Sequence, residues 1–183
     1  VLMTDQNYTG ATLVNRGSTL EFRGALTTSS FETFGTLIAG GLGGTFLNPA
    51  GTANFAGVVL RNSGELRFDY ATGLLATAKL ENYGGQGRWD DDTPIALLNG
   101  TLRLLGNRSI EVRETVGDLT ISGFGQVAVQ RDFLNRRVTL AIGNGGGADL
   151  VRTTNLTVNG LAITGNNATL QINPANGGQL GSD

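Results

Sequence analysis

Leu60-Arg61-Asn62-Ser63-Gly64-Glu65-Leu66-Arg67-Phe68 carries the pattern that decides the fold. Apolar and polar residues alternate on the far side of an asparagine–glycine corner, and period two with short runs is the mark of a strand. The same unit recurs. Leu13-Val14-Asn15-Arg16-Gly17 leads to Leu20 and Phe22, and Leu97-Leu98-Asn99-Gly100 leads to Leu102 and Leu104. Leu80-Glu81-Asn82-Tyr83-Gly84 leads towards Trp89, and a shorter form, Val158-Asn159-Gly160, precedes Leu161 and Ile163. Asparagine and glycine tolerate the left-handed backbone of a tight corner, so Asn15, Asn62, Asn82 and Asn99 are expected in turns.

Outside these units the alternation continues through Leu119/Ile121, Val127/Val129, Val138/Leu140/Ile142, Leu156/Val158 and Leu170/Ile172, while helical spacing is hard to find. The expected fold class is all-β. Imperfect recurrence of one strand–corner–strand unit points to a solenoid of stacked parallel strands. An antiparallel β-sandwich is the alternative, because asparagine–glycine between alternating segments is also a hairpin signal. The units are separated by 47, 20 and 17 residues, which suits turns of about 20–25 residues and roughly eight of them. The glycine-rich stretch from Phe31 to Phe55 reads as a looser or inserted part, and no domain boundary is visible in residues 1–183. Leu20, Phe22, Leu66, Phe68, Leu102, Leu104, Leu119, Ile121, Leu140, Leu156 and Leu170 are expected to point inward.

Composition removes several chemistries. With no cysteine and no histidine there is no disulfide, thiol nucleophile, nitrogen–sulfur zinc site or histidine-based triad. A net charge of −2 gives no electrostatic hold on nucleic acid. The wholly apolar runs are a few residues long, against about 20 for a spanning helix. The chain begins at Val1 and is read as a processed or excised piece of a larger precursor. Abundant glycine, threonine and asparagine with one lysine, Lys79, lean towards a secreted bacterial chain.

Two stretches carry a family resemblance. Asn7-Tyr8-Thr9-Gly10-Ala11-Thr12-Leu13-Val14-Asn15-Arg16-Gly17-Ser18-Thr19-Leu20 resembles the autotransporter-associated β-strand repeat, with its Asn-Tyr-Thr-Gly-x-Thr core. Arg88-Trp89-Asp90 through Pro94-Ile95, Gly100-Thr101-Leu102, Gly106-Asn107 and Glu114-Thr115-Val116-Gly117 is similar to segments of the same repetitive secreted proteins. The resemblance implies a right-handed parallel β-helix from a secreted or surface-displayed passenger region of a Gram-negative-type bacterium. Only one good copy of the core is present, and the chain carries more arginine and longer insertions than simple rods of the family.

Three groups of residues are candidates for chemistry. Asp90-Asp91-Asp92 could supply oxygen ligands to calcium, or an acid and a base to a glycosidic bond. Against this, successive strand residues face opposite ways, and the resemblance makes an aspartate-bearing turn part of the repeat itself. Gly143 to Leu150, with Asp149, matches part of a calcium-binding nonapeptide, but once only, where metal binding needs stacked copies. Tyr83, Arg88 and Trp89 fall near one corner, with Tyr70 close by, and could form an aromatic platform for a sugar ring. With one tryptophan and three tyrosines, core packing weighs against that platform.

The reading that follows is an extracellular structural or adhesive module with no cofactor. Its partners would be adjacent repeats or further copies stacked end to end into a fibre or surface layer, or a cell-surface or matrix polysaccharide. A carbohydrate-binding module and a polysaccharide hydrolase or lyase are the alternatives. The enzyme is disfavoured because Glu21, Asp69, Glu81, Asp118 and Asp149 share no common phase in the repeat, and few groups could act as a base near neutral pH.

Overall fold

Alternating aliphatic and β-branched residues between short glycine corners leave extended backbone as the local solution, and the computed structural model is all-β. It describes residues 1–7, 10–27, 30–41, 45–46, 57–71, 88–89, 91–107, 112–130, 137–142 and 153–175. Among these no helix occurs, and none is therefore long and apolar enough to cross a membrane. In chain order the strands are β1 (Gln6–Asn7), β2 (Thr12–Val14), β3 (Thr19–Phe22), β4 (Ala25–Thr27), β5 (Phe31–Thr33), β6 (Thr36–Ala39), β7 (Thr45–Phe46) and β8 (Val58–Arg61). They continue as β9 (Glu65–Asp69), β10 (Ile95–Leu98), β11 (Thr101–Leu105), β12 (Val112–Val116), β13 (Leu119–Gln130), β14 (Arg137–Ile142), β15 (Thr153–Val158) and β16 (Leu161–Ala175).

Every strand pairing among the described residues is parallel, which rules out the hairpin-built sandwich. One run of neighbours is β2-β5-β8-β10 and the first half of β13, and another is β3-β6-β9-β11 and the second half of β13. Strand β13 turns the corner without a break in strand structure and so joins both runs into one sheet. Strand β16 then follows β13 along its whole length, with a register shift between Ser122 and Phe124. Two three-stranded sheets, β1-β4-β7 and β12-β15-β14, complete the described structure. In the last of these β14 lies outside β15 although it precedes it in the chain.

Register turns the alternation into ladders. Phe31, Val58, Ile95, Leu119 and Leu161 lie side by side on successive strands, as do Val14, Thr33, Leu60, Leu97, Ile121 and Ile163. In the second run the ladders are Leu20–Leu37–Leu66–Leu102–Val127–Ile172 and Phe22–Ala39–Phe68–Leu104–Val129. Their interior members form one buried core, in which Leu37, Leu60, Leu66 and Leu102 are wholly covered. Of the residues expected inward, Leu20 and Leu170 are partly buried against that core, and the others are buried, apart from Leu140, whose side chain lies outside the described residues.

The difference at the first unit is instructive. Val14, not Leu13, enters the ladder with Leu60 and Leu97, and Leu13 is 56% exposed. A one-residue shift in strand register exchanges the two faces, and the pairing with Phe31–Thr33 sets it here. The stretch from Phe31 is likewise not an insertion at its start: β5 and β6 form a regular layer between β2–β3 and β8–β9. Among the described residues each run holds six strands, a stack of roughly 24 Å at about 4.8 Å per strand.

Corners are held as the asparagine pattern requires. Asn62 and Asn99 adopt left-handed backbone with φ of 48° and 64°, and Asn15 opens a turn closed by the Ser18 N–H donating to its carbonyl. Asn82 lies outside the described residues. The Asn99 side chain reaches the next layer, where its Oδ1 accepts from the Phe124 N–H at 2.9 Å. Gly100 is required by approach rather than by φ, because a Cβ there would lie 2.5 Å from the Leu60 Cβ.

Candidate functional site

In Val112-Arg113-Glu114-Thr115-Val116 the strand alternation places Glu114 on the same side as Val112 and Val116. Both valines are buried, and Glu114 is buried with them. A carboxylate taken from water into an apolar core needs compensating donors. Three reach it. The Tyr70 hydroxyl, just past the end of β9, donates to Oε2. The Arg88 backbone N–H lies 3.1 and 3.0 Å from the two carboxylate oxygens, and the Trp89 N–H donates to Oε1 at 2.9 Å.

The cation is close by. Arg88, 1% exposed, sets its guanidinium over the Tyr70 ring, 4.5 Å from the centroid. Its Nη1 and Nη2 donate to the carbonyls of Gly40 and Gly41 at 3.3 and 2.7 Å. Asn107, beyond β11, donates from Nδ2 to the Tyr70 carbonyl at 2.8 Å. Trp89 packs against Phe68 with ring centroids 5.6 Å apart and donates from Nε1 to the Thr93 carbonyl at 3.1 Å. The cluster thus links the end of β6, the end of β9, the end of β11 and the middle of β12. Among the described residues no strand bridges the sheets β1-β4-β7 and β12-β15-β14. The backbone donors of Arg88 and Trp89 are satisfied by a side chain instead of a sheet ladder.

Burial dominates the electrostatics. It pushes the Glu114 carboxyl up to about 7, against the opposing pull of the Tyr70 hydroxyl, the two backbone N–H groups and the Arg88 charge. Burial, and then the neighbouring Glu114, raise the Tyr70 phenol well above its ordinary value. Both groups are interior and hydrogen-bonded, so this arrangement braces neighbouring layers.

Of the candidate sugar platform, Arg88 and Trp89 lie in the core, as the packing alternative requires. Arg88 and Trp89 are each 1% exposed, and a buried ring presents no face to a ligand. Tyr83 lies outside the described residues, as do Asp90 and Asp149. Asp91 is half-buried and Asp92 exposed, in a turn leading to β10. That turn is held through its backbone: the Asp91 carbonyl accepts from Asn159 Nδ2 at 2.9 Å, and the Thr93 carbonyl accepts from the Gly117 N–H at 3.1 Å. Among the described residues no three carboxylates converge into a set that could hold a metal ion.

On the outward faces carboxylates meet arginines. Arg67 and Arg103 both approach Glu65, at 2.6 and 3.3 Å, Arg23 pairs with Glu21 at 2.6 Å, and Arg61 pairs with Glu32 across adjacent strands. Such partly exposed pairs contribute about 0–1 kcal/mol each. Compared with known proteins, the chain matches no family model, no curated protein and no solved structure.

Proposed function

We propose that this chain is an extracellular structural or adhesive module, a right-handed parallel β-helix of the kind implied by its resemblance to autotransporter-associated repeats. The observation that supports it best is the in-register parallel pairing of six successive strands in each of two runs. A chain that returns to the same sheets on each circuit pairs in this way, and parallel crossovers are right-handed in nearly all proteins. On this reading the module takes no cofactor and performs no catalysis. Its buried acid and base are tied into a brace, and Glu21, Glu32 and Glu65 are engaged by arginines. Its partners are adjacent repeats or further copies stacked end to end as a fibre or surface layer, with surface or matrix polysaccharide as a further ligand. Its place is outside a Gram-negative-type cell.

Beads coated with the full chain would test the reading on surfaces bearing bacterial and matrix polysaccharides, with a reducing-end assay run on the same polymers. Retention of the beads without new reducing ends is expected. Release of cleaved sugar, or no retention on any surface, overturns it.

A further inference from the structure

The two ends of the stacked runs are built differently. At one end Leu2 bridges to Phe22 in parallel, its N–H donating to the Glu21 carbonyl at 2.7 Å and its carbonyl accepting from the Arg23 N–H at 2.8 Å. Charged Arg16, Glu21 and Arg23 surround that strand, and charge is a common guard against edge pairing. At the other end β16 pairs, among the described residues, with β13 alone. Its 15 residues include no charged side chain. Ile163 is 52% exposed although it stands in the ladder where Leu60, Leu97 and Ile121 are buried. Leu161 and Leu170 are only partly covered.

The sequence of that edge reads nearly the same in both directions about the point between Asn166 and Asn167. Leu161 mirrors Ile172, Ile163 mirrors Leu170, Thr164 mirrors Thr169, and Asn166 mirrors Asn167. The mirror point lies at the corner between the two runs. Leu161 to Thr164 pair in register with Leu119 to Ser122, and Thr169 to Ile172 pair with Phe124 to Val127, so the chain turns between them. Gly165, at φ 95°, begins that turn. A two-fold axis through the corner exchanges the two halves of β16 and reverses their direction.

We propose that β16 is a self-complementary docking edge that pairs antiparallel with β16 of a second copy and closes a two-fold dimer. Under this operation Leu161 lies opposite Ile172 of the other copy and Ile163 opposite Leu170, so apolar ladders continue across the boundary. The outward pair Thr164 and Thr169 likewise face each other, and cross-strand threonine pairs are favourable. By order of neighbours β14 stands level with β16, one strand beyond β15, so its edge meets its own symmetry mate in the same contact. An isologous contact of this kind uses itself up at two copies, unlike a head-to-tail contact that opens into a filament. The proposal rests on the stacked-strand reading above and selects, for this end, a second copy as the partner.

The chain has no cysteine, so engineered thiols report register cleanly. Thr164→Cys and Thr169→Cys variants of the full chain are each oxidised alone and as a mixture, and the mass of the unaltered chain is followed by sedimentation equilibrium. A dimer whose mass stops growing, with a strong cross-link in the mixture only, is expected. A monomer, a species that keeps growing with concentration, or absence of the mixed cross-link overturns the proposal. Ile163→Lys buries a lysine against Leu170 of the other copy and should weaken dimerisation at least about tenfold. Its circular dichroism spectrum should be unchanged, and a dimer as strong as that of the unaltered chain also overturns the proposal. A monomer that still coats polysaccharide surfaces removes the dimer alone, whereas polysaccharide cleavage removes the module reading and leaves the dimer standing.

Discussion

The Tyr70 hydroxyl donates to the Glu114 carboxylate across 44 positions of sequence, in the interior of the stack. Glu114 is a charged-type residue inside an apolar core, and its state depends on pH. Its carboxyl titrates near 7 in the folded chain because burial disfavours the charge, against 4.5 for the unperturbed group. Between those values the folded state binds more protons than the unfolded one, so stability falls as pH rises. The contribution is fully present below about 4.5 and gone above about 7, a span worth on the order of 3 kcal/mol. Urea unfolding at a series of pH values should show this decline, and Glu114→Gln should flatten it. An unchanged slope in the variant would show that other groups carry the dependence.

Arg88 balances that carboxylate and covers two carbonyls. Arg88→Ala leaves Glu114 without its neighbouring cation and the Gly40 and Gly41 carbonyls without their donors. Each buried group left without its partner costs about 1–3 kcal/mol. Arg88→Lys should recover little of this, because one ammonium cannot reproduce a planar fork that also lies on the Tyr70 ring. Trp89 is the single tryptophan and is buried beside this residue, so its emission should shift to the red as the variants unfold at lower urea.

How much of this was legible depends on how local each cause is. Leu66/Phe68 and Leu102/Leu104 announce their strands and their inward faces, because period two is written in adjacent residues. Asn62 and Asn99 announce corners for the same reason. The choice of Val14 over Leu13 is set by pairing with Phe31–Thr33, which neither residue encodes alone. Glu114 does carry a local signal: a valine two residues before and another two after place it on the apolar side. The partners of Arg88 leave no local mark, because the carbonyls that accept from it lie 48 and 47 positions away. Nothing local indicates that β14 lies outside β15.

The register itself can be weighed by truncation. Leu66→Ala and Leu102→Ala remove wholly buried side chains from one ladder and should each cost about 2–5 kcal/mol. Leu13→Ala, at an outward and half-exposed position, should stay within about 0.5 kcal/mol. Comparable losses at Leu13 and Leu66 in urea unfolding would place the first strand one residue out of register.

The corner offers the sharpest contrast of all, since two substitutions there strain different things. Gly100→Ala adds a methyl group 2.5 Å from the Leu60 Cβ, in a ladder position with no slack, and overpacking of that kind costs about 1–3 kcal/mol. Gly10→Ala meets nothing within 4 Å and serves as the neutral control. Asn99→Ala leaves the Phe124 N–H without its acceptor and keeps a β-carbon in left-handed backbone, where asparagine is better tolerated, for a loss of about 1–2 kcal/mol. Asn99→Gly relieves the backbone but still lacks the acceptor, and should fall between Asn99→Ala and the unaltered chain. Thermal unfolding of the four variants separates the two causes. If Asn99→Gly is no better than Asn99→Ala, the left-handed φ of 64° plays no part and the bond to Phe124 alone holds the corner.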